Sequence, residues 1–84
     1  MYKIIYTKKA MKALYKYDRI FKDVVETQIY KFLNQEKVNN IKKLKWYENR
    51  YRLRIWKYRV LFEKYEDKLI ILVIDIWSRW NVYK

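Results

Sequence analysis

Apolar residues recur at helical spacing through the first half of this chain and alternate with polar ones through much of the second. Tyr2 to Tyr6 is short, β-branched and aromatic, which predicts a first strand. Thr7 can cap a helix behind it, in which Ala10, Met11, Leu14, Tyr15 and Tyr17 recur at roughly helical intervals between lysines. Asp18 is a second candidate cap. Phe21, Val24, Val25, Ile29, Phe32 and Leu33 follow in a clear amphipathic pattern, which predicts a second helix. One or two residues separate the helices, so they should form a hairpin. Core packing is the ordinary use of such an apolar stripe; a groove for a partner is the rarer one.

Asn34 to Asn49 is polar and reads as a loop with room for one more helical turn. Three strands should follow. In Arg50 to Trp56, Tyr51, Leu53 and Ile55 point one way and Arg50, Arg52 and Arg54 the other. In Tyr58 to Tyr65, Tyr58, Val60 and Phe62 oppose Arg59, Leu61 and Glu63. Glu66, Asp67 and Lys68 make a turn, and Leu69 to Trp77 is a nearly continuous apolar run suited to an inner strand covered on both faces. The predicted order is β-α-α-β-β-β: an α+β fold in one domain, residues 1–84, with the helix hairpin packed on one face of a mainly antiparallel, twisted sheet. Repeats, low-complexity segments and linkers are absent.

Composition narrows the chemistry. At 84 residues the core is small, so the 4 Trp, 10 Tyr and 3 Phe should matter, each able to bury more area than an aliphatic side chain. With no Cys and no His, the usual metal ligands and the usual neutral-pH base are missing, and the carboxylates are scattered. Neither a metal nor a cofactor is expected. The N-terminus has no apolar core of a signal peptide, and the longest apolar run, Leu69 to Ile74, is far too short for a bilayer. A cytoplasmic protein without a membrane partner is expected.

The net charge of +12, from 21 basic and 9 acidic residues, attracts polyanions. A solvated, lysine-rich surface accounts for part of that charge. The arginines ask for more. Arg52 and Arg54 share one face of a strand, about 7 Å apart, and the tight connection at Trp56 and Lys57 returns Arg59 beside them. Like charges on neighbouring strands repel, and an anionic ligand is the usual reason to gather them, since the guanidinium fork donates two parallel hydrogen bonds to phosphate. The alternative is the solvated face of a half-exposed sheet. Spacing alone leaves both open. Lys42, Lys43 and Lys45, beside Trp46 and Tyr47, divide equally between a grip on nucleic-acid backbone and a solvated loop.

The strand pair Tyr51-Arg52-Leu53-Arg54-Ile55 and Tyr58-Arg59-Val60-Leu61-Phe62 resembles the hallmark hairpin of the RelE/ParE toxin superfamily, and Arg79-Trp80-Asn81-Val82-Tyr83 resembles its closing motif. The short first strand and the helix beginning near Thr7-Lys8-Lys9-Ala10 match as well, so the likeness covers nearly the whole chain. It implies the toxin of a type II toxin–antitoxin pair. Its RelE-like branch enters the ribosomal A site and cuts mRNA by attack of a ribose 2′-OH on the adjacent phosphate, which inhibits translation. The resemblance assigns Arg52, Arg54, Arg59, Arg79 and Tyr83 to that site. Arg59 and Arg52 would stabilise the phosphorane, Arg79 would meet the leaving 5′ oxygen, and Tyr83 would stack on a base or orient the 2′-OH.

Two departures qualify the likeness. RelE-like enzymes often place lysines where this chain has Arg52 and Arg54, and arginine does not give up its proton. Tyr83, with its pKa lowered by the arginines, or the less well aimed Lys57 would have to serve as base. Trp77 and Ser78 also stand where the family often has a Gly. Two other functions compete: the ParE-like branch, which poisons DNA gyrase, and a non-catalytic RNA-binding module in which Trp46, Tyr47, Trp56, Trp77 and Trp80 stack on bases. The resemblance further implies a cognate antitoxin, acidic if it complements this charge, besides the ribosome and mRNA, with the ribosome gripped through Lys42, Lys43, Lys45 and Lys57.

Overall fold

The computed structural model describes residues 1–17 and 19–78. Along the chain run β1 (Lys3–Tyr6), α1 (Lys8–Tyr15), α2 (Arg19–Leu33), β2 (Ile41–Lys43), β3 (Arg50–Ile55), β4 (Tyr58–Tyr65) and β5 (Ile70–Ser78). Five strands make one sheet in the order β1-β5-β4-β3-β2. β2, β3, β4 and β5 pair antiparallel; β1 lies parallel to β5.

Thr7 sits in extended conformation ahead of α1, as its residue type predicts. Its Oγ1 accepts from the Ala10 amide at 3.1 Å and donates to the Ile74 carbonyl at 2.6 Å, so one hydroxyl both caps the helix and ties it to β5. The expected second cap, Asp18, lies outside the described residues. α2 buries Phe21, Val25 and Ile29. They meet Leu53 and Ile55 of β3, Val60 and Phe62 of β4, and Ile71, Val73 and Ile76 of β5, which form the helix-facing side of the sheet. Alternation in β3 and β4 therefore falls as the sequence predicts.

Two expectations change. The polar stretch read as a loop contains β2, whose Ile41, Lys42 and Lys43 oppose Leu53, Arg52 and Tyr51. Asn40 fastens it: its carbonyl accepts from the Arg54 amide at 2.9 Å and its side-chain amide donates to the Arg54 carbonyl at 2.7 Å. A strand of three residues with one apolar side chain has no readable period, and lysines are what a sheet edge favours. β5 is an inner strand, but it is not covered equally on both faces. Ile71, Val73, Ile76 and Ser78 are buried, while the residues between them are half-buried. A bulge sets this parity: Phe62 faces Val73 and Leu61 faces Asp75, leaving Ile74 extra.

The chain has no glycine, so other residues take its left-handed turns: Gln35 (φ 61°), Trp56 (φ 53°) and Leu69 (φ 53°). At Gln35 the Glu36 amide bonds the Lys31 carbonyl (2.9 Å) and the Gln35 amide bonds that of Phe32 (3.1 Å), the Schellman closure of α2. A Cβ is unfavourable at that φ. Gln35→Gly should therefore raise the unfolding free energy by about 0.5–1 kcal/mol, after the greater freedom of an unfolded glycine is subtracted. Urea denaturation checks this as a higher midpoint at unchanged slope.

Candidate functional site

The sheet face turned away from the helices carries the arginines. Leu53 and Ile55 are driven into the core, which forces Arg52 and Arg54 outward, and both are exposed. The two-residue turn at Trp56 and Lys57 closes β3 onto β4 so that Arg54 stands directly opposite Arg59. Lys42 of β2 stands directly opposite Arg52. Opposed residues on such strands have Cβ atoms about 5 Å apart, so four cations cover an area of two residue pairs. Arg59 is half-buried, with its far neighbour Trp77 on β5, and its Nη1 is shielded from solvent. Arg52, Arg54 and Arg59 line a cleft of about 540 Å³ with Asn39, Asn40, Lys42 and Trp56.

Sequence reasoning gathered Arg52, Arg54 and Arg59, and the structure brings them together. It divides the lysines. Lys42 joins the cleft, whereas Lys43 opposes Tyr51 and so points to the other face; with Lys45, Trp46 and Tyr47 it borders a separate hollow. Lys57 is exposed at the hairpin turn, 5.5 Å from the Tyr58 ring, and is not part of the cleft lining. Arg79 and Tyr83 lie outside the described residues; β5 ends at Ser78, opposite Tyr58 and one position from Arg59. Asn39 and Asn40 had no signal in the sequence, because their place depends on β2.

Arg50 shares the arginine face but has another task. Its Nη2 and Nε reach one Glu63 oxygen at 2.6 and 3.0 Å, its guanidinium lies 4.2 Å from the Tyr47 ring, and the Tyr65 hydroxyl donates to the other Glu63 oxygen. Burial works against the Glu63 carboxylate, but hydrogen bonds from Tyr65 and Arg50 and the Arg50 charge outweigh it and hold the Glu63 pKa below the usual carboxylate value. A lowered folded-state pKa contributes stability that is present above the unfolded pKa and is lost as pH falls through the folded one. Acidification below the ordinary carboxylate range should therefore destabilise the wild type. Glu63→Gln should cost about 1 kcal/mol at neutral pH and flatten this part of the stability–pH curve, as chemical denaturation at several pH values would show.

The cleft can hold a phosphodiester, because each guanidinium offers parallel donors to its oxygens. It cannot easily supply a base: arginine keeps its proton, and the described lining has no carboxylate. Among the described residues there is no grouping of three or more side chains able to ligate a metal, and no helix is long and apolar enough to cross a membrane.

Comparison with known proteins places this architecture. The profile of the ParE toxin of type II toxin–antitoxin systems, parDE, matches residues 4–83. A search of curated protein sequences gives no match. Among solved structures, the chain is similar to a chain of the RelB–RelE antitoxin–toxin complex from Methanococcus jannaschii, with 26% identity, a TM-score of 0.68 and 94% of both chains covered. The archaeal RelE–RelB complex from Pyrococcus horikoshii OT3 gives 23% identity and a TM-score of 0.71 over 93% of this chain and 94% of that one. The isolated E. coli RelE toxin shares 16% identity at a TM-score of 0.73, over 93% of this chain and 84% of that one. With the profile spanning nearly its whole length and a fold shared with RelE, the chain belongs to the ParE toxin family, within the RelE/ParE superfamily of type II toxins.

Proposed function

We propose that this toxin is a ribosome-dependent endoribonuclease that cuts mRNA in the A site and so inhibits translation in the cytoplasm. The observation that carries the reading is the cleft in which Arg52, Arg54, Arg59 and Lys42 converge. In this reading a ribose 2′-OH attacks the adjacent phosphorus, the P–O5′ bond breaks, and the products are a 2′,3′-cyclic phosphate and a 5′-OH. Negative charge grows on the phosphorane oxygens, and fixed guanidiniums stabilise it without reorganisation. Arg59 and Arg52 take that role, with Arg54 as an exposed electrostatic partner. Tyr83 orients the 2′-OH and takes its proton, Arg79 stabilises the negative charge on the leaving 5′ oxygen, and that oxygen takes a proton from water. Lys43 and Lys45, beside the separate hollow, and Lys57, at the hairpin turn, are exposed and grip ribosomal RNA backbone outside the cleft.

The test is a reconstituted translation reaction with a defined message and cleavage mapped by primer extension. Cuts confined to ribosome-bound message support the reading; intact message at saturating protein overturns it. The ParE family profile supports a second reading, inhibition of DNA gyrase. Loss of gyrase supercoiling with intact message would establish that one.

Several structural relatives are complexes with RelB. By analogy this toxin binds an antitoxin, and its +12 charge favours an acidic one. The outer sides of the helices and the β2 edge, where a further strand could pair, are the candidate docking surfaces. Toxin–antitoxin affinity should fall as salt rises from about 0.1 to 1 M, because screening weakens the attraction between exposed charges. A dissociation constant that ignores salt would instead assign the binding to apolar contact.

A further inference from the structure

We infer that Trp56 is a stacking platform for an unpaired RNA base next to the phosphate held by the arginines, an inference that rests on the proposed RNA-cutting function. Trp56 is the aromatic member of the cleft lining; the other lining residues are cations and amides. It is 65% exposed, although indole is among the side chains with most to gain from burial. It also occupies a left-handed turn position at φ 53°, where Asn, Asp or Gly would sit with less strain. A single exposed aromatic is ordinary. One that is exposed, conformationally strained and set in the wall of a cationic cleft combines two costs at the place where strain commonly serves function.

The geometry fits a nucleotide. Arg54, two residues before Trp56, faces Arg59 across the strand pair, and the turn carries the indole just past that pair. A base and its phosphate are separated by a ribose, so their readers must be close but distinct. One side of the indole is steadied by Phe21, whose ring centroid lies 6.3 Å away at 42°. Stacking on an aromatic face tolerates any base. Base choice at this position should therefore be weak.

The experiment uses the full chain and two probes: a trinucleotide of 2′-O-methyl RNA, whose blocked hydroxyls cannot attack, and the same probe with its central base removed. Fluorescence anisotropy reads both affinities. Wild type should prefer the intact probe by about 5- to 150-fold, the usual range for one stacked base. Trp56→Ala should bring that ratio near one, and Trp56→Phe should keep part of it. Trp46→Ala removes an indole that is 85% exposed outside the cleft, and should leave the ratio unchanged. Trp56→Gly relieves the turn, so it should lose the ratio while its urea midpoint holds or rises. Arg59→Ala should weaken both probes alike. The inference is overturned by a wild-type ratio near one, by a Trp56→Ala that keeps the ratio, by a Trp46→Ala that loses it equally, or by a Trp56→Gly whose midpoint falls with its ratio. Failure of Arg59→Ala to weaken either probe would count separately, against the phosphate cleft itself.

Discussion

Arg59→Ala is expected to lower the single-turnover rate of cleavage on ribosome-bound message by about 100- to 1,000-fold, the usual cost of removing one preorganised donor to a developing oxyanion. Three features single out Arg59 within the cleft. It stands on β4, the middle strand of the sheet, between Arg54 and Trp77. It is half-buried where Arg52 and Arg54 are exposed, so its guanidinium is less free to swing and less screened by water. The next residue, Val60, is fully buried and fixes the backbone that aims it. Arg54→Ala should consequently cost less, about 10-fold. Arg59→Lys keeps the charge but loses the fork and should fall between wild type and Arg59→Ala. The rate must be read beside thermal unfolding, since a half-buried side chain also packs. A variant that unfolds at the wild-type temperature and still cuts within a few-fold of the wild-type rate would move the phosphate site elsewhere.

The same residues show what could be read from the sequence and what could not. Alternation in Tyr51-Arg52-Leu53-Arg54-Ile55 needs only the period of a strand and a core on one side, and both are local facts. That is why Arg52, Arg54 and Arg59 group together on sequence grounds alone. The parallel neighbour of β5 is not local: β1 and β5 are separated by most of the chain, and neither records its partner. β2 was illegible for a related reason. Ile41-Lys42-Lys43 becomes a strand only because Asn40 and Leu44 find β3 backbone to bond. The cleft inherited that gap, since Asn39, Asn40 and Lys42 line it only once β2 has paired. Arg50 shows the limit of that pattern: it shares the face and parity of the other arginines, but Glu63 directly across from it makes it structural.

Phe62→Ala is expected to cost about 3–5 kcal/mol, the range for deleting a buried aromatic ring, and in a chain this small that is a large part of the total. Phe62 is fully buried on β4. Its ring stacks on Tyr51 of β3, 5.5 Å away at 15°, and meets Phe32 of α2 edge-on at 6.0 Å and 71°. Phe32 in turn packs on Tyr51 at 5.0 Å. Three rings from a helix and two strands thus share one contact, and no single element can shift to fill the void without breaking the others. Phe62→Leu, which keeps most of the volume, should cost far less, about 1–1.5 kcal/mol. Urea denaturation would measure both, and the same variants separate a loss of fold from a loss of chemistry. Anything that binds only the folded chain stabilises it by mass action. An antitoxin that binds the folded chain should therefore raise the unfolding midpoint of Phe62→Ala, whereas the defect of Arg59→Ala, which lies in the cleft, should appear in the cleavage rate of the free toxin at an unchanged midpoint. A Phe62→Ala protein that unfolds within about 1 kcal/mol of wild type would show that the core can collapse around the missing ring, and that the aromatic cluster is not what holds the helices against the sheet.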